Sequence, residues 1–80
     1  MRFPLLTIVT GGNMSPRRLA TVIRQLRERA DLTQEELAKR AKVARSYVAL
    51  IEAGHKKNPS LEIFKRLARA LGVPVTELLK

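Results

Sequence analysis

The chain has 80 residues, 45% of them apolar, which is enough for one compact domain and too few for two. It has no Cys and a single His, and no arrangement of nucleophile and base or of paired carboxylates is evident, so we expect no enzyme, no metal and no cofactor. Sixteen Lys and Arg against seven Asp and Glu give a formal net charge of +9, which favours a phosphate-rich partner over a soluble domain with a merely basic surface.

Residues 1–13 form an extension whose composition differs from that of residues 14–80, the expected folded domain. The segment FPLLTIVT is apolar and β-branched, and a Gly-Gly-Asn turn or linker follows it. Two interpretations stay open: a tail, or a lone β-strand over residues 5–10 that pairs with a second copy or with a protein partner. No apolar run reaches the ~20 residues of a membrane span, so we expect no membrane partner.

Helical periodicity begins after Ser15, which together with Pro16 makes a typical N-cap and first helical residue. Apolar residues then recur on one helix face and predict a first helix over residues 16–30. The residues of this apolar face are Leu19, Val22, Ile23, Leu26 and Ala30.

A capping box marks the start of the second helix. Thr33 can accept from a free amide while Glu36 reaches back, and Leu32 can pack on Leu37 beside them, so we expect a helix over residues 34–41. This helix and the next are short, and they must pack closely on each other to be stable. The expected inward positions of the pair are Leu37, Ala38, Ala41, Val43, Val48 and Ile51.

Two glycines in the second half of the chain predict the ends of helices. Gly54 predicts the end of a third helix over residues 45–53, and Gly72 predicts the end of a fourth helix that Ser60 caps. A last short helix is expected over residues 75–79. The expected fold class is therefore a compact all-α domain of five helices. The inward stripe expected for the fourth helix is Leu61, Phe64, Leu67, Ala68 and Leu71.

The segment from Thr33 to Leu79 resembles the lambda-repressor-like (XRE-type) helix-turn-helix family, and with the first helix the likeness covers residues 15–79. T-Q-E-E-L-A, I-E-x-G, N-P-S-L-E and L-A-x-A-L-G-V all occur in register, and R-S-Y-V-x-x-I-E-x-G-x-x-N-P-S is also similar to restriction-modification controller proteins. The resemblance implies a cytoplasmic, nucleoid-associated regulator or repressor of transcription, of bacterial or phage type, that binds double-stranded pseudo-palindromic DNA as a homodimer. The alternative is an antitoxin-like or co-regulator subunit whose main partner is a protein bound through residues 1–13.

Two positions depart from that family. It often has Gly in the turn where this chain has Lys42, which costs about 1 kcal/mol if the backbone there is left-handed. It often has Ser or Thr capping the third helix, where Ala44 offers no side-chain acceptor. We expect both departures to weaken the local geometry of the turn without altering the fold.

The third helix is the expected recognition helix. With Val48 and Ile51 turned to the core, its 3.6-residue period leaves other residues facing outward, where this motif reaches base edges in the major groove. Arg45 is expected to bridge guanine O6 and N7, with a phosphate contact as the alternative, and Leu50 to touch thymine methyl groups. The base-reading candidates are Arg45, Ser46, Ala49 and Leu50.

Other residues are expected to hold the DNA backbone, the domain or a second copy. Gln34 lies at the positive end of the second helix, and Tyr47, on the flank of the third, packs or touches phosphate. The resemblance implies an internal ion pair between Arg27 and Glu52 that orients the recognition helix. The phosphate candidates are Gln34, Tyr47, Lys56, Lys57 and Asn58. The dimer candidates, apolar residues that we expect to be exposed otherwise, are Val75, Leu78 and Leu79.

Overall fold

The computed structural model describes residues 15–55 and 59–79. The predictions for residues 1–13, and those for Lys56, Lys57 and Asn58, lie outside the described residues. None of the described helices is long and apolar enough to cross a membrane. In chain order the elements are α1 (Pro16–Arg29), α2 (Gln34–Ala41), α3 (Arg45–Glu52), α4 (Leu61–Leu71) and a 3₁₀ turn (Val75–Glu77).

Three helices begin at the side-chain caps predicted from the sequence. The hydroxyls of Ser15 and Ser60 each accept from the amide three residues on, at 3.1 and 3.2 Å. The Glu36 amide donates to Thr33 Oγ1 at 3.0 Å, and the Thr33 amide donates back to the Glu36 carboxylate at 2.8 Å, which confirms the capping box. Hydrogen bonds from the amide and from the side chain of Thr33 lower the pKa of the Glu36 carboxyl group. Ala44 makes no side-chain cap, as its residue type predicts.

All four helices end in one hydrogen-bond pattern, in which a left-handed residue follows the helix and two amides turn back to its last carbonyls. After α2, the amides of Lys42 and Val43 donate to carbonyls three and five residues back, at 3.2 and 3.0 Å. The left-handed residue is Gly54 after α3 and Gly72 after α4. After α1 and α2 it is Asp31, with a φ of 60°, and Lys42, with a φ of 59°. The described residues therefore include two non-glycine residues with a left-handed backbone, Asp31 and Lys42, of which the sequence had indicated only Lys42.

The core forms where α2 packs against both α3 and α4, while α1 packs against α3 and the 3₁₀ turn against α4. The positions expected to face inward between α2 and α3 are buried, except that Val43 is half-buried. Ala38 is 3% exposed, and its small side chain lets α2 approach its neighbours. Leu61, expected on the inward stripe of α4, is instead 56% exposed, because it is the first helical residue and the packed stripe begins at Phe64.

The expected fifth helix and the expected exposure of Leu78 need correction. Residues 75–77 form a single 3₁₀ turn, closed by hydrogen bonds between residues three apart, so the described residues contain four α-helices. So short a segment gains too few hydrogen bonds to repay the cost of starting an α-helix. The tighter turn carries Leu78 into the domain's own core, where it is 0% exposed. Its side chain therefore has no surface to offer a second copy.

We expect Lys42→Gly to raise the free energy of unfolding by about 0.5–1 kcal/mol, because glycine adopts the left-handed backbone without a steric cost. Lys42→Ala is the matched control, since it removes the same charge and keeps the strain, and we expect a clearly smaller gain from it. Urea unfolding followed by circular dichroism measures both. Equal stabilisation by the two variants would mean that charge, and not backbone strain, had been relieved.

Candidate nucleic-acid interface

One side of α3 is fixed in the core and the other side is open. Val48 and Ile51 are 0% exposed, whereas Leu50 is 45% exposed. The first two residues of the helix are also exposed, and Ala49 is half-buried. We call the open side the reading face, and it consists of Arg45, Ser46, Ala49 and Leu50.

The reading face combines two hydrogen-bonding side chains with two apolar ones. Arg45 and Ser46 occupy the first turn of α3, the end that this type of motif directs into a groove. Ala49 and Leu50 follow one turn later, and they can meet only apolar groups. The first pair therefore suits hydrogen-bonding groups and the second pair suits apolar groups.

Tyr47 lies between the two sides of α3 and packs against the core. The residue is half-buried, and burial raises the pKa of its hydroxyl. The hydroxyl therefore stays protonated at neutral pH. The packing expected for Tyr47 is present, and its phosphate contact stays a prediction.

Glu52, the last residue of α3, is 4% exposed and is bound by an arginine from α1. Arg27 Nε donates to Glu52 Oε2 at 2.7 Å, and Arg27 Nη2 donates to Glu52 Oε1 at 3.1 Å. A third donor, Arg27 Nη1, reaches the carbonyl oxygen of Leu32 at 2.7 Å. The hydrogen bond to Glu52 raises the pKa of Arg27, so the guanidinium remains charged at any ordinary pH.

Two further side chains complete this arrangement, which we call the Glu52 network (Arg24, Arg27, Gln34 and Glu52). Gln34 Nε2 donates to Glu52 Oε1 at 3.1 Å, and Arg24 Nη2 donates to the backbone oxygen of Glu52 at 2.8 Å. One residue thus ties the end of α3 to α1 and to the start of α2. The bond from Arg24 was not predicted, and the available signal was its position three residues before Arg27 on the same helix face.

Gln34, a predicted phosphate ligand, lies inside the Glu52 network. It is half-buried, and its side-chain nitrogen donates to Glu52. The donors on which the predicted phosphate contact depends are therefore the second hydrogen of this side-chain nitrogen and the backbone amide of Gln34, because helix geometry leaves the amides of a first turn without partners in the helix.

We expect Arg27→Ala to lower the free energy of unfolding by about 3–5 kcal/mol, because it leaves a buried carboxylate without its ion-pair partner. The control is Glu62→Ala, which removes an exposed ion pair. In this pair Arg66 Nε lies 3.1 Å from Glu62 Oε2. That variant should cost less than about 0.5 kcal/mol. Urea denaturation of both variants measures the difference, and similar losses would contradict the role of burial.

The comparisons with known proteins agree with this geometry. A model of the helix-turn-helix family matches residues 23–78. An uncharacterized HTH-type transcriptional regulator of Methanothermobacter thermautotrophicus is 46% identical over 54 residues, which cover 68% of this chain and 77% of that protein. The transcriptional regulator SinR of Bacillus subtilis is 37% identical over 57 residues, which cover 71% of this chain and 51% of SinR.

Solved structures show the same fold. The restriction-modification controller protein C.AhdI from Aeromonas hydrophila matches with a TM-score of 0.75 at 36% identity, over 79% of this chain and 94% of the controller. SinR, crystallised in complex with DNA, matches with a TM-score of 0.75 at 34% identity, over 78% of this chain and 98% of that chain. These matches confirm the resemblance inferred from the sequence motifs, and the chain belongs to the XRE-type helix-turn-helix family.

Proposed function

We propose that this chain is a sequence-specific regulator of transcription that binds double-stranded DNA through α3. The observation that carries the proposal is the reading face, an open surface on a helix whose other side is held by the core and by the Glu52 network. Named relatives such as SinR are transcriptional regulators, and the SinR structure contains DNA. A helix held at a fixed angle is what readout in the major groove requires.

Within this proposal the residues of the reading face have different roles. Arg45 donates to guanine O6 and N7, and Ser46, next to it, donates to a base or to a phosphate. Leu50 contacts thymine methyl groups, and the small Ala49 lets the helix approach the bases closely. Specificity then rests on one charged contact and a shape-selective apolar one.

The phosphate backbone supplies most of the proposed affinity. The formal net charge of +9 attracts the duplex, and individual phosphate contacts fix its register on the protein. The start of α2 precedes the recognition helix in the chain and residues 56–58 follow it, and we propose that both segments contact the phosphate backbone. The proposed contacts are made by Gln34, Tyr47, Lys56, Lys57 and Asn58.

The second part of the proposal is a homodimer on a pseudo-palindromic site. Two reading faces about 34 Å apart would meet successive major grooves on one side of the duplex. Leu79 is 49% exposed and Val75 is half-buried, so these two residues, without Leu78, offer apolar surface to a second copy. We also propose that the regulator acts in the cytoplasm, where the DNA of a bacterial or phage-type regulator lies.

Arg45→Ala should cost about 1–3 kcal/mol of binding free energy at one base position and lower the ratio of specific to non-specific affinity. Lys57→Ala is the comparison, and it should weaken binding to all sequences alike and reduce the salt slope by about 1. Fluorescence anisotropy with a selected and a random duplex at several salt concentrations separates these effects. Equal losses on the two duplexes for Arg45→Ala would overturn the base-reading assignment.

Selection of bound sequences from a random duplex pool should return a two-fold symmetric consensus with a guanine and neighbouring thymines in each half. Leu79→Glu should weaken binding to the full site, because a charge at the proposed subunit contact opposes dimerisation, and should leave binding to an isolated half-site unchanged. An asymmetric consensus would contradict the homodimer. No enrichment at all would favour the protein-partner alternative.

A further inference from the structure

A second surface, outside the reading face, gathers positive charge around a concavity. A cavity of about 370 Å³ lies at the C-terminal end of α2, beside the turn that follows it and against α4. Among the described residues, none that lines the cavity comes from α3. We call it the α2–α4 cavity, and its lining residues are Arg40, Ala41, Lys42, Glu62, Arg66 and Arg69.

Four of these six residues are cations and one is an anion. Arg66 Nε donates to Glu62 Oε2 at 3.1 Å, so the single carboxylate is already matched within α4. Arg66 Nη1 also donates to the carbonyl oxygen of Lys42 at 3.4 Å, which holds the guanidinium at the wall of the cavity. In the described part of the chain no ion pair engages Arg40, Lys42 or Arg69.

The packing of α2 against α4 does not depend on this concentration of charge. The core that joins α2 and α4 is apolar, and the cations lie at its edge. Like charges that share a concavity repel one another, and water and salt screen this repulsion only in part. An anionic occupant would relieve the repulsion.

The shape of the cavity favours carboxylates of a protein segment over the phosphates of a duplex. Arginine forks bind carboxylates and phosphates equally well in geometry. DNA is stiff over about 150 base pairs, so a duplex keeps its phosphates at a fixed spacing and cannot adjust them to the cations of a cavity of about 370 Å³. Asp and Glu side chains on a flexible segment can enter.

We propose that the α2–α4 cavity binds an acidic segment of a partner protein, with at least two carboxylates held by Arg40, Lys42 and Arg69. The cavity shares no residue with the reading face. The inference stands independently of the proposed function, because it rests on the charge and shape of a different surface.

The test uses the full chain and a fluorescein-labelled ten-residue peptide of alternating Glu and Ala, with a peptide of alternating Gln and Ala as the neutral comparison. The double variant Arg40→Gln/Arg69→Gln should weaken binding of the Glu peptide by about tenfold or more, since two charge-assisted contacts are lost. Lys39→Gln/Lys65→Gln is the matched control, because it removes two exposed cations from the same two helices outside the cavity. It should weaken binding less than about threefold, through overall charge alone.

All four substituted side chains are exposed, so circular dichroism should show both double variants folded. A selective loss in the cavity variant, with no binding of the Gln peptide, supports the proposal. Equal losses of peptide affinity in the two variants would overturn it. The proposal would also be overturned if the cavity variant lost affinity for a random duplex while its affinity for the Glu peptide was unchanged, because the cavity would then bind DNA. None of these measurements uses a selected operator, so the outcome is separate from that of the Arg45→Ala experiment.

Discussion

The burial of one carboxylate, that of Glu52, constrains the recognition helix. A charged group that is 4% exposed must be matched by donors, and these come from α1 and from the start of α2. Helix α3 could not slide or turn about its axis without separating Glu52 from Arg27, and the burial of Val48 and Ile51 opposes the same motions. The direction of the reading face therefore follows from an electrostatic requirement at the other end of the same helix.

Tertiary contacts matter more for α3 than for its neighbours, because α3 lacks their local starting signals. Ala44 supplies no cap, and the strained Lys42 lies two residues before it. A helix of eight residues is marginal in isolation even with good caps. The stability of the reading face is thus coupled to α1 and α2 through the Glu52 network. Arg27 and Glu52 have this effect although neither residue is part of the reading face.

Positive charge is distributed unevenly between the two surfaces of functional interest. The reading face has a single charged side chain, Arg45, whereas the α2–α4 cavity has four cations. A mostly neutral reading face suits discrimination between bases, because contacts with base edges and methyl groups carry sequence information and phosphate contacts do not. The charge of the cavity is available for another partner.

The sequence by itself determined the capped starts of α1, α2 and α4, the stops at Gly54 and Gly72, and the family, because these depend on residues within a turn or two of one another; the capping box of Thr33 and Glu36 is an example. The family motif also indicated the pairing of Glu52. Only the tertiary structure decided that Arg24 reaches the carbonyl of a residue 28 positions away and that Leu78 fills the core. It alone assembled the α2–α4 cavity, because the cations of α2 and α4 meet only when the apolar core brings these two helices together.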